Sequence, residues 1–271
     1  YEDMTDSRPI GIFDSGVGGL TVVSRVRQIL PKENIVYFGD TARVPYGTKS
    51  KETVTRFSVE NVEFLMRHDV KLIIVACNTA SSLSLEFLKR CFRVPILGVI
   101  EPGAKAAARY TRTNRIGVIG TSATIASGAY EKAIGKLRSG KFIYSQSCPL
   151  FVPIVEEGWL DTKIARDVAS VYLKGIRARR VDTLILGCTH YPLLKNVIGK
   201  IMGKETRLVD SAEEVAREAR SVLEAGGLLN NSKNSGTQKF FVSDEPHRFM
   251  KMARRFLKQQ IKCSKADTAE H

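Results

Sequence analysis

The sequence predicts an α/β protein made of two similar lobes with parallel sheets, related by pseudo-symmetry across a cleft. Short apolar segments alternate along the 271 residues with longer amphipathic stretches, which is the pattern of parallel strands joined by crossover helices. Polar or thiol side chains stand directly after many of these segments, and three from the first half are matched in the second half at a nearly constant separation. Such a repeat indicates two equivalent α/β units.

Nine segments are predicted strands because each is a short apolar run of the kind that parallel sheets bury. They are residues 10–13, 35–39, 72–76, 95–100, 116–120, 142–146, 183–187, 207–209 and 239–243. Two intervening segments, 51–68 and 162–178, carry apolar residues three and four positions apart and are predicted helices. The polar loop 230–239 and the chain after Ile261 are predicted to be exposed and mobile.

The matched positions after strands divide the chain into lobes. The three pairs are Asp14 with Thr121, Asp40 with Cys148, and Cys77 with Cys188. We therefore predict an N-terminal lobe of residues 1–97 plus 210–271 and a C-terminal lobe of residues 98–209. Open parallel sheets bind ligands at the carboxyl ends of their strands, so the functional site is predicted in the cleft between the lobes. A helix N-cap is the structural alternative for Asp14 and Thr121.

The formal net charge of +14 permits attraction to nucleic acid, acidic lipid or anionic ligands without demonstrating any of them. The basic residues are spread along the chain, and the sequence shows no zinc spacing, ribonucleoprotein aromatics or helix-turn-helix pattern. A solvated surface is therefore the preferred interpretation of the charge, and a nucleic-acid partner is not expected.

Three features of the sequence bear on where the protein works. The longest apolar runs, such as residues 72–76, are far shorter than a membrane helix, which needs roughly 20 residues. The first residues lack the basic-then-apolar order of a secretion signal. The five cysteines are odd in number, which suits a reducing compartment. We expect a cytoplasmic protein with no membrane segment.

Two of the cysteines occupy equivalent places in the repeat. Cys77 and Cys188 each follow a predicted strand, at a turn into a helix whose N–H groups are expected to lower the thiol pKa. A single such cysteine is often only a small buried apolar group. Two that face each other across a cleft have a specific use, because inverting a carbon stereocentre requires removing a proton from one face and delivering one to the other.

Neighbouring polar residues suit that chemistry. The α-proton of an amino acid is weakly acidic, so the carbanion must be stabilised by hydrogen bonds to the carboxylate, which Thr79 and Thr189 can donate. Asn78 and His190 are the expected assistants to the thiols, although a lone histidine is often structural. The glycine-rich turn 14–20 after the first strand could hold an anion, and Asp14 within it favours a ligand that carries an amine as well as an acid.

Six motifs follow one another along the chain: GIFDSGVGGLTV, FGDTARVPYG, VACNTAS, IGVIGTSAT, CPLFVPIVEEG and GCTHYPLL. Together they resemble the glutamate racemase family, over about residues 9 to 260. The resemblance implies two α/β lobes with the active site between them. It also implies an isomerase that interconverts L- and D-glutamate without pyridoxal phosphate or metal, and that supplies D-glutamate for peptidoglycan synthesis, cell wall biogenesis and cell shape.

The same resemblance implies residue roles. Cys77 and Cys188 are the acid/base pair, with Cys77 serving D-glutamate and Cys188 serving L-glutamate. Asp14, His190 and a glutamate of VEEG assist proton transfer; Glu156 and Glu157 both stay open, with Glu156 favoured. The implied substrate contacts are Asp14, Ser15, Pro45, Tyr46, Gly47, Asn78, Thr79, Thr121, Thr124, Thr189 and His190.

Other functions remain to be weighed against this one. Aspartate racemase is the near alternative, because one methylene of substrate length is worth only about 1–3 kcal/mol of discrimination. A non-catalytic binding protein for acidic amino acids is a second alternative, although such a binder does not need two thiols. A basic nucleic-acid-associated protein with a racemase fold is a third, and it would bind in a salt-dependent way. The sequence also leaves a homodimer open.

Overall fold

The computed structural model describes residues 5–137 and 140–266 as two parallel sheets covered by helices. The strands are β1 (Ile10–Asp14), β2 (Ile35–Gly39), β3 (Leu72–Val75), β4 (Ile96–Gly98), β5 (Arg115–Gly120), β6 (Phe142–Ser147), β7 (Thr183–Gly187), β8 (Arg207–Asp210), β9 (Gln238–Val242) and β10 (Ser264–Lys265). The helices are α1 (Leu20–Ile29), α2 (Lys51–Met66), α3 (Asn78–Cys91), α4 (Ile100–Tyr110), α5 (Ser122–Ala126), α6 (Ala129–Leu137), α7 (Phe151–Glu156), α8 (Lys163–Ala178), α9 (Lys195–Met202), α10 (Ser211–Ala225) and α11 (Pro246–Leu257).

The predicted α/β class with parallel sheets is confirmed, and every predicted strand is present. The six-stranded sheet has the order β10-β9-β2-β1-β3-β4, and the four-stranded sheet has the order β6-β5-β7-β8. The order second, first, third, fourth therefore occurs in both sheets, which is the pseudo-symmetry expected of the repeat. All strand pairs are parallel, so the carboxyl ends of the strands share one edge in each sheet.

Two predictions about the chain need correction. The apolar run 95–100 is not all strand, because β4 ends at Gly98 and α4 begins at Ile100; a continuous apolar run cannot by itself separate a buried strand from the start of a buried helix. The chain after Ile261 is predicted to be exposed and mobile, yet Ser264 and Lys265, although exposed, pair with β9 at the edge of the six-stranded sheet. Residues 267–271 lie outside the described part of the chain.

The C-terminal part of the chain returns to the first sheet. Residues Gln238–Val242 of β9 pair with Ile35–Gly39 of β2, so the six-stranded sheet contains strands from both ends of the chain. Helix α10 packs on α1 and on α4 and so lies where the two halves meet. The exact boundaries of the two predicted lobes stay a prediction.

The core follows from the sequence pattern. The side chains of β1, β2, β3 and β7 are buried along their whole length, as expected when helices cover both faces of a parallel sheet. Helix α8 buries Ala165, Ala169, Leu173 and Ile176, which recur every three or four positions. None of the helices within the described ranges is long and apolar enough to span a bilayer.

Asp182 organises the turn that leads into β5. Its carboxylate accepts hydrogen bonds from the Thr111 hydroxyl at 2.7 Å and from the backbone N–H groups of Arg112 and Thr113 at 2.7 and 2.6 Å. Partial burial opposes ionisation of this group, but the hydrogen bonds outweigh it and lower its pKa from 3.8 to about 2. Ionised Asp182 therefore stabilises the fold.

We expect Asp182→Ala to lower the free energy of unfolding by about 2 kcal/mol at neutral pH, because several charge-assisted hydrogen bonds are lost. Since the folded pKa lies below 3.8, this contribution is present above pH 3.8 and is lost as the pH falls through about 2. The unfolding free energies of wild type and variant, measured with urea, should therefore differ most near neutrality and converge as the pH falls from about 4 to about 2. Asp161→Ala, which removes an exposed ion pair with Arg166, is the control and should cost under about 1 kcal/mol. Equal losses in the two variants would contradict the assignment.

Candidate active site

Strand ends from both sheets surround one cavity of about 370 Å³. Ser15 follows β1, Cys77 follows β3, Thr121 follows β5 and Cys188 follows β7. The cavity is lined by Ser15, Gly16, Val44, Pro45, Tyr46, Gly47, Thr48, Cys77, Asn78, Thr79, Thr121, Ser122, Pro149, Val152, Pro153, Glu156, Cys188, Thr189 and His190. A single cavity thus has the two matched cysteines of the repeat in its wall.

Cys77 stands between β3 and α3 at the N-cap position of the helix, and its thiol donates a long hydrogen bond of 3.8 Å to the Ser15 hydroxyl. Burial raises the pKa of Cys77 to about 12, and the Asp14 carboxylate acts in the same direction. The backbone N–H of Ala80 in the first turn of α3 favours the thiolate, as expected, but burial outweighs it. The expectation that this turn lowers the thiol pKa is therefore wrong for Cys77, whose pKa is raised by burial instead.

Cys188 has a different set of neighbours. Its Sγ lies 3.9 Å from Nδ1 of His190, and Nε2 of the same ring lies 3.2 Å from Oε1 of Glu156. Burial alone would lower the pKa of His190, but hydrogen bonds to Cys188 and Glu156 outweigh it and raise this pKa to about 10. The imidazolium can thus donate to Glu156 at one nitrogen while its other nitrogen faces the thiol.

The structure distinguishes the two glutamates that the sequence left open. Glu156 ends α7, lines the cavity and contacts His190, whereas Glu157 is exposed and lies outside the lining. Burial opposes ionisation of Glu156, but the hydrogen bond from His190 and the charges of His190 and Arg248 together outweigh burial and lower the pKa of the carboxyl. Cys188, His190 and Glu156 form a continuous line of side chains.

Asp14 lies behind the cavity wall and is completely buried. Its carboxylate accepts hydrogen bonds from the backbone N–H of Gly16 at 3.1 Å and from the Thr189 hydroxyl at 3.4 Å. Burial raises its pKa, and the charge of His190 opposes that rise. Asp14 therefore lies near Cys77 of its own half and near Thr189 and His190 of the other half, but its neighbours separate it from the cavity.

The glycine-rich turn after β1 allows the two halves to approach. A Cβ at Gly18 would clash with Oγ1 of Thr189 and would lie 2.5 Å from Nδ1 of His190. Only glycine leaves room for these side chains. They occupy the space beside the turn, where the sequence analysis had considered an anion site. Ser15 and Gly16 still line the cavity.

Three threonines join the halves on the other side of the cavity. The Thr79 hydroxyl lies 2.9 Å from that of Thr121 and 3.3 Å from that of Thr124. Thr121 also caps α5 by accepting from the backbone N–H of Thr124 at 3.3 Å, so the structural alternative is confirmed for a residue that also lines the cavity. Thr124 is buried and does not line the cavity.

The segment 44–48 forms a further wall and depends on a buried polar network. The Arg43 guanidinium donates to both carboxylate oxygens of Asp40, at 2.9 and 2.7 Å, and the Tyr46 hydroxyl donates to the same carboxylate. A Cβ at Gly47 would lie 2.8 Å from Cβ of Thr121, so this wall touches the opposite half. Asp40 therefore holds Arg43 and Tyr46 in place and so shapes this wall.

Asn78, the expected assistant to a thiol, uses its amide N–H for a contact with the other half of the chain. Its side-chain amide donates to the Tyr130 hydroxyl at 2.8 Å, and that hydroxyl lies 3.1 Å from Oγ of Ser211. Asn78 nevertheless lines the cavity. The neighbouring Tyr130 was not identified from the sequence, because its partners are distant along the chain.

Sequence reasoning also missed the apolar wall of the site. Val44, Pro149, Val152 and Pro153 line the cavity, together with the small residues Gly16, Thr48 and Ser122. The only signal for them was that they lie within or beside the six recognised motifs. Within residues 5–137 and 140–266, no three histidine, cysteine or carboxylate side chains come together as a metal site would require.

Comparisons with known proteins agree with this geometry. The family model described as Asp/Glu/Hydantoin racemase matches residues 16–219. A glutamate racemase of Geobacter metallireducens is 55% identical over 250 residues, which are 92% of this chain and 93% of that protein. Among solved structures, a glutamate racemase isoform from Bacillus anthracis aligns with a TM-score of 0.94 and 42% identity over 97% of this chain and 98% of its own. The Francisella tularensis glutamate racemase in complex with D-glutamate aligns with a TM-score of 0.91 and 39% identity, over 98% and 100% of the two chains.

Proposed function

This chain belongs to the Asp/Glu/hydantoin racemase family and is an amino-acid racemase, and from that premise we propose that it interconverts L- and D-glutamate by two-cysteine proton transfer at the α-carbon. The observation that carries the mechanism is the placement of Cys77 and Cys188, from equivalent strand ends of the two sheets, in the wall of one cavity. One cysteine removes the α-proton as a thiolate. The other, as a thiol, delivers a proton to the opposite face of the carbon.

The two thiols have different neighbours, so we propose that different residues assist proton transfer at each of them. At Cys188, the His190 ring lies between the thiol and Glu156 and can hold or relay a proton at Nδ1. At Cys77, the raised pKa supports a thiol that donates a proton, and the buried carboxyl of Asp14 is the nearby acidic group. We propose that Asp14, His190 and Glu156 manage the protons of the cysteines between turnovers.

Substrate binding is proposed to rest on neutral donors. Among the described residues that line the cavity there is neither lysine nor arginine, so the carboxylates of the substrate would be held by hydroxyls, amides and backbone N–H groups. The N-terminus of α3 directly follows Cys77 and favours a negative charge beside the reacting carbon. The proposed contacts are Ser15, Pro45, Tyr46, Gly47, Asn78, Thr79, Thr121, Thr189 and His190 in the wall, with Asp14 and Thr124 acting from behind it.

The cellular role is proposed from the family. D-Glutamate made by this chain would enter peptidoglycan synthesis, and the reaction would take place in the cytoplasm. Neither pyridoxal phosphate nor metal is proposed, because the two thiols and their partners account for both proton transfers. A homodimer remains a prediction.

The substrate is tested by incubating the purified protein with L-glutamate or L-aspartate in a chelator, with no cofactor added, and following the circular dichroism of the amino acid. We expect the L-glutamate signal to decay to zero and the L-aspartate signal to persist. Decay with L-aspartate alone would establish the aspartate alternative. Saturable binding without decay of either signal would establish the binding-protein alternative, and activity that requires added metal or pyridoxal phosphate would contradict the mechanism.

A further inference from the structure

The last turn of α11 lies against the side chains behind Cys188. Helix α11 follows β9 in the six-stranded sheet, which also carries Cys77, yet its C-terminal end reaches α7 of the other half. Nη1 of Arg255 donates a hydrogen bond to the backbone carbonyl of Glu156. The Phe256 ring meets the His190 ring edge-on, with centroids 5.8 Å apart. Two consecutive residues of α11 thus contact the Glu156–His190 pair.

The end of α7 is shaped to receive Arg255. Helix α7 has only six residues, too few to be stable alone, and the carbonyls of its last turn lack partners within the helix. Arg255 supplies a partner to one of them. A Cβ at Gly158, two residues further, would lie 2.8 Å from Cζ of Arg255, and Gly158 has a φ of +79°. The glycine therefore gives the guanidinium room to lie flat against the turn.

The charges of α11 suit this arrangement. Arg248 precedes Arg255 by two helical turns and so lies on the same side of the helix. Burial raises the pKa of the Glu156 carboxyl, and the charge of Arg248 adds to the hydrogen bond and charge of His190 in lowering it. Helix α11 thereby presents positive charge to a carboxylate that must stay ionised to orient His190.

We propose that Arg255 is a positioning residue for proton transfer at Cys188: it fixes the end of α7, which places Glu156 against His190 and His190 against the thiol. This inference rests on the proposed function. It is one-sided, because the neighbours of Cys77 are Ser15 and the first turn of α3, which belong to the other half of the site. Loss of Arg255 should therefore impair one of the two half-reactions.

Racemisation alone cannot reveal a one-sided effect. The enantiomers have equal free energies in water, so kcat/KM must remain equal in the two directions whatever a variant does. Elimination from the enantiomers of β-chloroglutamate removes this constraint. The thiolate takes the α-proton, the C–H electron pair forms the Cα–Cβ double bond, and chloride leaves with the C–Cl pair. The enamine then tautomerises and is hydrolysed by water to 2-oxoglutarate and ammonium, which are measured.

The experiment compares Arg255→Ala with Arg254→Ala, an exposed neighbour on the same helix that makes no ion pair in the described part of the chain. The isomer that Cys188 deprotonates is identified as the one still eliminated by Cys77→Ser. For Arg255→Ala we expect about a ten-fold loss of elimination from that isomer, since small misplacements of a reacting group cost one to two orders of magnitude, and less than a two-fold change with the other isomer. Arg254→Ala should match wild type with both.

Gly158→Ala provides a second variant, because its methyl group would occupy the place of the guanidinium. It should reproduce the one-sided loss, and the double variant should lose little more than Arg255→Ala alone. No loss in Arg255→Ala, or equal losses with both isomers, would overturn the inference while leaving the proposed function intact. Failure of the wild-type protein to eliminate from either isomer would instead count against the two-cysteine mechanism itself.

Discussion

Replacing Cys77 or Cys188 by serine should lower the rate of glutamate racemisation by at least about 10³-fold. Serine is nearly isosteric with cysteine but is far too weak an acid to supply a base at neutral pH. Both thiols lie in the wall of the same cavity, so loss of either removes the group on one face of the substrate. Circular dichroism of L- and D-glutamate measures the rate, and Cys91→Ser, at an exposed cysteine on α3, is the matched control and should retain full activity.

The two cysteine variants should differ in a second assay. Each retains one thiol, which can still deprotonate the enantiomer that presents its α-proton to that side. Cys188→Ser should eliminate chloride only from D-β-chloroglutamate, and Cys77→Ser only from the L isomer. Identical isomer preference in the two variants would refute opposed bases. Near-wild-type racemisation in either variant would remove that cysteine from the mechanism.

Lys71→Met should lower the free energy of unfolding by about 3–5 kcal/mol, because it leaves the Glu33 carboxylate buried and uncompensated. The side chains of Lys71 and Glu33 are 0% and 2% exposed, and Nζ lies 2.6 Å from Oε2 of Glu33. Nζ also donates to the backbone carbonyls of Asp6 at 2.6 Å and Leu228 at 2.7 Å. Oε2 of Glu33 has no hydrogen bond of good geometry within the described residues, so the charge of Lys71 is its compensation.

Urea unfolding followed by far-ultraviolet circular dichroism tests this pair. The double variant Glu33→Gln, Lys71→Met should recover part of the lost stability, because no unpaired charge then remains in the interior. Lys163→Met, which breaks an exposed ion pair with Asp167, is the control and should cost under about 1 kcal/mol. A loss in Lys71→Met no larger than in this control would show that the buried pair does not support the fold.

The strands were predictable because a parallel sheet covered on both faces requires continuous apolar runs, and such runs are visible in the sequence. The segment around β4 was partly wrong for the same reason: the apolar run passes from a strand directly into α4, and local composition does not mark the change. The short strand β10 was missed because its residues are polar and exposed, and its pairing depends only on the free edge of β9.

The candidate site also contains some residues that the sequence could identify and others that it could not. Cys77, Thr121 and Cys188 were identifiable because each follows a strand, and the ends of parallel strands meet. The choice of Glu156 over Glu157 was not, since it depends on which side of the short helix α7 faces His190. Asn78 was assigned to a thiol, but in the fold it donates to Tyr130, a residue brought near by helix packing.

The sequence by itself determined the α/β class, the strand-helix alternation, the repeat and the two cysteines, because these depend on periodicity and on position along single elements. Only the tertiary structure decided the partners: Lys71 with Glu33, Arg255 with the end of α7, and the opposite environments of the two thiols. Periodicity tells which face of an element is buried, whereas a partner depends on how separate elements pack. Burial then outweighs local effects, and the pKa of the Cys77 thiol rises although it stands at a helix N-terminus.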